Sequence, residues 1–165
     1  MSERRVLVAG IGNVFFGDDG FGVEVARRLC ERPQPPGVDV VDFGIRGLDL
    51  TYALLDGYAA AVLVDALPRG GVPGTLYVIE PVIEAPESPS LDTHGMDPTK
   101  VLKLASAMGG RLPVLRIVGC EPAPLDEAGE MTMGLSAAAA AAATEAVQVV
   151  EALVAELREG VSSRA

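Results

Sequence analysis

The chain of 165 residues is long enough for one domain with its own core, and its 49% content of hydrophobic residues argues against disorder. Thirteen basic and 23 acidic residues give a formal net charge of −10, which disfavours a nucleic acid or an anionic membrane surface as partner. The cysteines, Cys30 and Cys120, form no CxxC motif, and we expect neither a membrane span nor a signal peptide. These features predict a reduced, cytoplasmic protein.

Short apolar segments alternate with longer segments of helical periodicity along the chain. Strands are predicted at residues 6–9, 38–43, 60–64, 75–79 and 114–118, of which the first is expected to be buried and the third is fully apolar. Helices are predicted at residues 20–30, 48–55, 98–108 and 136–159, with Asp18 and Asp97 as N-caps of the first and third. We therefore expect a single domain over residues 1–165, with a tail that frays from about residue 160.

The connections between the strands determine the expected sheet. The link at residues 68–74 is too short for a helical crossover, so the fourth strand is predicted to run antiparallel to the third. The alternation of elements predicts an α/β three-layer sandwich, in which a mixed, mostly parallel five-stranded sheet carries helices on both faces. Strands one, three and five end near Gly10, Asp65 and Cys120, and these ends are expected to meet at one edge, where α/β proteins bind ligands.

A glycine-rich stretch, GIGNVFFGDDGFG at residues 10–22, follows the first strand. Gly10 and Gly12 match the first two glycines of the dinucleotide motif GxGxxG, but Phe15 occupies the third position, where it would obstruct close helix–strand packing. Asp18 and Asp19 would also repel a pyrophosphate. Nucleotide binding is therefore only a minor alternative for this loop.

Three side chains form a candidate metal site. Asp19 follows strand one, Asp65 ends strand three, and His94 is the single histidine of the chain. Two carboxylates and one imidazole form an open set of ligands that suits a borderline divalent metal. Each residue also has an ordinary interpretation, as a helix cap, a turn residue or a solvated histidine. Their expected convergence at one edge favours the functional interpretation.

Nucleophilic catalysis has less support in the sequence. There is no Gly-x-Ser-x-Gly turn that would present a nucleophilic serine. Cys120 ends strand five, so a Cys–His pair with His94 stays open, although a cysteine at a strand end is more often a small buried hydrophobe.

Five motifs in order give the chain a resemblance to the hydrogenase maturation proteases, the nickel-dependent processing endopeptidases. The stretch at residues 10–22 is similar to the opening signature of that family, and VDFGIRGLDL at residues 41–50 looks like its second loop. VLVDAL at residues 62–67 resembles the segment with its strand-end aspartate, and Thr93-His94-Gly95-Met96 stands where its histidine is found. VGCEPAP at residues 118–124, followed by Gly134-Leu135-Ser136, looks like the closing motif.

The resemblance implies a phosphorylase/hydrolase-like sandwich and an endopeptidase activity. Such enzymes remove a C-terminal extension from the precursor of the large subunit of a [NiFe] hydrogenase after nickel has been inserted. Matching the motifs residue by residue places the metal-contacting and catalytic positions on Asp19, Asp65 and His94. The implied metal is nickel carried by the substrate, for which another divalent ion can substitute in vitro. The second loop has Gly44-Ile45-Arg46 where many members have Gly-Thr and a variable residue.

Several mechanisms and functions stay open at this point. Nickel presented by the precursor would position the scissile segment, and it would either polarise the peptide carbonyl or activate a water. Alternatively, Asp19 and Asp65 would activate water as a carboxylate pair without a metal. The rival function is a non-catalytic, chaperone-like module that senses nickel and binds the large subunit. A nucleotide-binding enzyme is third.

Overall fold

The structure is a computed structural model that describes residues 4–82, 98–124 and 133–160. Five strands form one sheet in the order β2-β1-β3-β5-β4. They are β1 (Val6–Ile11), β2 (Val38–Gly44), β3 (Ala60–Ala66), β4 (Leu76–Ile79) and β5 (Val114–Cys120). Every residue of β1 and β3 is buried, because both strands are continuous apolar runs that lie in the middle of the sheet.

Helices cover both faces of the sheet, as an α/β three-layer sandwich requires. A 3-10 helix (Gly17–Gly20) leads into α1 (Phe21–Cys30), and α2 (Gly47–Leu54), α3 (Pro98–Ala107) and α4 (Ala137–Gly160) follow. Alternate residues along each strand point to opposite faces. The face that includes Val62 and Val64 packs against α1 and α4, and the face that includes Leu63 packs against α2 and α3. The predicted fold class is confirmed.

Among the described strands, β4 alone runs antiparallel to the others. Strands β1, β2, β3 and β5 are parallel, whereas β4 pairs antiparallel with β5. The predicted direction of β4 relative to β3 is therefore correct, although the two strands are not paired. The pairing could not follow from the short link alone, because β5 arrives later in the chain and lies between them.

Helix α4 alone, among the described residues, is long and apolar enough to span a membrane, with 24 residues and a mean hydropathy of 1.4 over its most apolar window. A core helix of a soluble fold has the same properties. Its apolar stripe packs on the sheet through Val147, Val150, Val154 and Leu157, and all four are buried in the core shared with α1. We therefore interpret α4 as the core helix of a soluble α/β domain.

Candidate active site

The carboxyl ends of the central strands meet at one edge of the sheet, as predicted. Gly10 of β1 lies beside Val64 of β3, and Asp65 of β3 lies beside Gly119 of β5. Strand β2 joins this edge, where Ile11 pairs with Gly44. The loops that follow four parallel strands therefore start side by side, which is where ligands bind in such folds.

Glycines allow the first loop and α1 to pack closely against the strand ends, because a glycine has no Cβ. A Cβ added at Gly22 would overlap the carbonyl oxygens of Val64 and Ile11, far inside the 3.0 Å that real Cβ atoms keep. At Gly12, where φ is +144°, a Cβ would overlap the carbonyl oxygen of Asp19. The predicted obstruction by Phe15 is wrong. That side chain is 51% exposed on the loop, and Gly22 provides the close helix–strand approach instead.

Asp19 lies at the surface of this edge, in the 3-10 helix. Its Oδ2 accepts a hydrogen bond from the Asn13 amide at 3.0 Å, and its own amide donates to the carbonyl oxygen of Phe16 at 3.0 Å. The side chain is exposed. A carboxylate held by its own loop and open to solvent can contact a group that a partner presents.

Asp65 is the buried counterpart of Asp19. It is 4% exposed, and its Oδ1 accepts a hydrogen bond from the Ala66 amide at 2.8 Å. Two residues after Leu63, it falls by strand alternation on the sheet face that α2 and α3 cover. The 3-10 helix that carries Asp19 contacts β3, and it leads into α1, which packs on the other face of the sheet. Asp19 and Asp65 therefore lie at the same edge of the sheet.

The third candidate ligand, His94, lies outside the described residues, as does the predicted cap Asp97. His94 precedes the first residue of α3 by four positions, and α3 covers the face to which Asp65 belongs. Within residues 4–82, 98–124 and 133–160, no group of three or more His, Cys, Asp and Glu side chains could hold a metal ion. The convergence of all three ligands therefore stays a prediction.

Asp18 does not cap a helix, which corrects the prediction made for it. Neither the 3-10 helix nor α1 has a side-chain cap hydrogen bond. The Asp18 carboxylate is 5% exposed and accepts three hydrogen bonds from distant residues. Its Oδ2 accepts from the Ala123 amide at 2.8 Å and from the Ser136 hydroxyl at 2.7 Å, and its Oδ1 accepts from the Ser136 amide at 2.7 Å. The sequence predicts a local cap because Asp18 precedes a helix, and nothing near it in the chain indicates that its hydrogen-bond donors are Ala123 and Ser136.

Glu121, which sequence reasoning did not single out, anchors the loop that follows β3. Its Oε1 accepts hydrogen bonds from the amides of Arg69 and Gly71 and from the Tyr77 hydroxyl, at 2.8–2.9 Å. Burial acts to raise the pKa of Glu121, but these donors outweigh it and hold that pKa below its ordinary value. The one sequence signal for this role is that Glu121, an acidic residue, directly follows the uncharged end of β5.

We expect Glu121→Gln to remove a pH-dependent part of the stability. Because the pKa of Glu121 is lower in the folded protein, its stabilising effect is fully present above the unfolded pKa of about 4.5 and is lost as the pH falls through the folded pKa. Urea unfolding at pH 7 and pH 3 measures this effect. The stability difference between wild type and Glu121→Gln should shrink at pH 3, whereas Glu145→Gln, the same change at an exposed site, should track the wild type at both. A constant difference at both pH values would contradict the prediction.

Cys120 behaves as a small buried hydrophobe. It lies in the core between the sheet and α1–α4, and its thiol donates to the Glu121 carbonyl oxygen at 3.6 Å. Burial, with Asp18 nearby, raises the pKa of the thiol to about 11. Since the thiolate is the nucleophile, these surroundings disfavour a Cys–His mechanism.

Comparison with known proteins identifies relatives over nearly the whole chain. The profile of the HycI hydrogenase maturation protease family matches residues 23–153, a range that includes Asp65 and His94 and begins after Asp19. HupD of Rhodobacter capsulatus, a hydrogenase expression/formation protein, is 34% identical over 131 residues, which are 76% of this chain and 61% of that protein. The chain thus spans about three fifths of that relative. A putative hydrogenase maturation protease of Methanocaldococcus jannaschii is 32% identical over 91% of this chain and 96% of its own length.

A solved structure supports the same relationship. The hydrogenase maturating endopeptidase HybD from Escherichia coli superposes with a TM-score of 0.73 at 28% identity, covering 92% of this chain and 93% of that one. At the level of the family, these matches confirm two predictions: the enzyme class is hydrolase, and the type of activity is that of a processing endopeptidase. The chain belongs to the hydrogenase maturation protease family.

Proposed function

We propose that this chain is the endopeptidase that removes the C-terminal extension from the precursor of a [NiFe] hydrogenase large subunit after nickel insertion. The observation that carries the proposal is a pair of carboxylates at one sheet edge in a member of this family: Asp65 at the end of β3, and Asp19 in the 3-10 helix that follows the adjacent parallel strand β1. The partner is the precursor itself, and the setting is the cytoplasm.

Nickel belongs to the substrate in this proposal, and Asp19, Asp65 and His94 contact it. The donors suit such a role, because two carboxylates and an imidazole leave positions open for ligands from the precursor. Asp19 is exposed, so it can meet an incoming group, while Asp65 is buried at the strand end and accepts a hydrogen bond from the Ala66 amide. The metal then serves as a checkpoint that places the scissile peptide at this edge.

The experiment compares two forms of one precursor. The purified chain is incubated with the nickel-loaded precursor and with the same precursor from nickel-depleted cells, and intact mass spectrometry follows the C-terminus. We expect the extension to be released from the loaded form only. Equal release from both forms would overturn nickel recognition and favour the pair of carboxylates acting without a metal.

The rival function gives a different outcome in the same experiment. A non-catalytic binding module would form a complex with the loaded precursor, visible by size-exclusion chromatography, and would leave its mass unchanged. Binding without release would therefore overturn the proposed peptidase function of this chain.

A further inference from the structure

The buried carboxylate of Asp18 has no part in the proposed contact with nickel, yet it joins three segments of the chain. Its donors are Ala123, which follows β5, and Ser136, which precedes α4. All three donor groups are uncharged. Hydrogen bonds to a carboxylate at 2.7–2.8 Å are charge-assisted and stronger than neutral ones. Asp18 therefore ties the 3-10 helix to the segment that follows β5 and to the start of α4.

The same contacts organise the start of α4. The Ser136 hydroxyl donates to Asp18 and accepts from the Ala139 amide at 3.2 Å, and the Ser136 carbonyl accepts from the Ala140 amide at 2.8 Å. Ser136 is thus the N-cap of α4. A negative charge at this position is also favourable to the dipole of the 24-residue helix.

Asp18 and Asp19 share one 3-10 turn, in which successive side chains point about 120° apart. The turn buries Asp18 and exposes Asp19. On its other side, the Asp19 backbone is in close contact with Gly12. A turn held at both sides leaves Asp19 little freedom to rotate, and a displacement of about 1 Å can cost a reaction about 10²-fold in rate.

We propose that Asp18 is a positioning residue, whose bonds to Ala123 and Ser136 fix the turn so that Asp19 meets the substrate. This inference rests on the proposed function. Asp18→Asn tests it, because an amide has one acceptor oxygen and cannot accept from all three donors. We expect kcat for precursor cleavage to fall about 10²-fold, with KM changing less than about threefold. The exposed Asp56→Asn serves as the matched control and should cleave like the wild type.

Ser136 variants keep the test valid where Asp18→Asn does not fold. Ser136→Ala removes the hydroxyl and should lower kcat about tenfold, whereas Ser136→Thr keeps it and should restore kcat to within about threefold of the wild type. Equal activity of the Ala and Thr variants would overturn the role given to this contact.

Hydrogen exchange at the Asp19 amide separates this inference from the proposed function. That amide donates to Phe16, and its exchange should be about tenfold faster in Asp18→Asn than in the wild type. If the wild type releases no peptide, the proposed function fails, and exchange alone decides whether Asp18 holds the turn. Wild-type exchange, or wild-type kcat, in a folded Asp18→Asn protein overturns the inference.

Discussion

Asp65→Asn is expected to lower the rate of precursor cleavage by about 10²–10⁴-fold, the range typical of a lost acid–base or metal-contacting carboxylate. Asparagine has nearly the same shape, and its carbonyl oxygen can still accept from the Ala66 amide. The fold at the end of β3 should therefore persist while the charge is lost. Initial rates of peptide release from the nickel-loaded precursor measure the effect.

Asp56→Asn is the matched control for Asp65→Asn. Asp56 is 75% exposed and lies four residues before β3, at the opposite end of the same strand. Circular dichroism melting curves should show both variants folded. A folded Asp65→Asn protein that cleaves within about threefold of the wild-type rate would exclude Asp65 from the chemistry.

Gly22→Ala should destabilise the protein by about 1–3 kcal/mol, although alanine is normally the better helix former by about 1 kcal/mol. Alanine is expected to lower the free energy of unfolding here, and not to raise it, because the added Cβ would overlap the carbonyl oxygens of Val64 and Ile11. Both atoms belong to the backbone at the carboxyl ends of the two central strands, which cannot shift easily, so α1 must move away as a unit. The free energy of unfolding in urea measures the loss.

Gly160→Ala provides the control for this substitution. Gly160 is the last residue of α4, and a Cβ there would meet nothing within 4 Å. The free energy of unfolding of Gly160→Ala should stay within about 0.5 kcal/mol of that of the wild type. If Gly22→Ala were as stable as Gly160→Ala, the close approach of α1 to the strand ends would be refuted.

Much of the fold could be predicted because its signals are local. Continuous apolar residues predict β3 and helical periodicity predicts α1, and both elements contribute buried residues to the core. The end of β1 was placed too early, since Gly10 and Ile11 extend the ladder and glycine carries no apolar signal. The sequence also predicts correctly that Asp65 lies at the carboxyl end of β3.

The long-range polar contacts could not be predicted. The sequence predicts a local cap for Asp18, whereas its donors in the structure, Ala123 and Ser136, lie 105 and 118 positions away. Glu121 was overlooked for the same reason, since its donors lie 44–52 positions earlier. A carboxylate shows in sequence that it needs partners, but only the assembled sheet edge determines which backbone amides reach it.

The hydrogen bonds of Asp18 with Ala123 and Ser136 have a consequence for the order in which the protein folds during synthesis. A nascent chain that has emerged only as far as Ala123 has all five strands, but it lacks Ser136 and the final helix. Contacts across more than 100 positions form late, because the intervening chain must first be brought together. The turn that carries Asp19 therefore becomes fully anchored only when α4 docks. An unfinished chain on the ribosome accordingly has the five strands of the sheet before the turn that carries Asp19 is fixed in place.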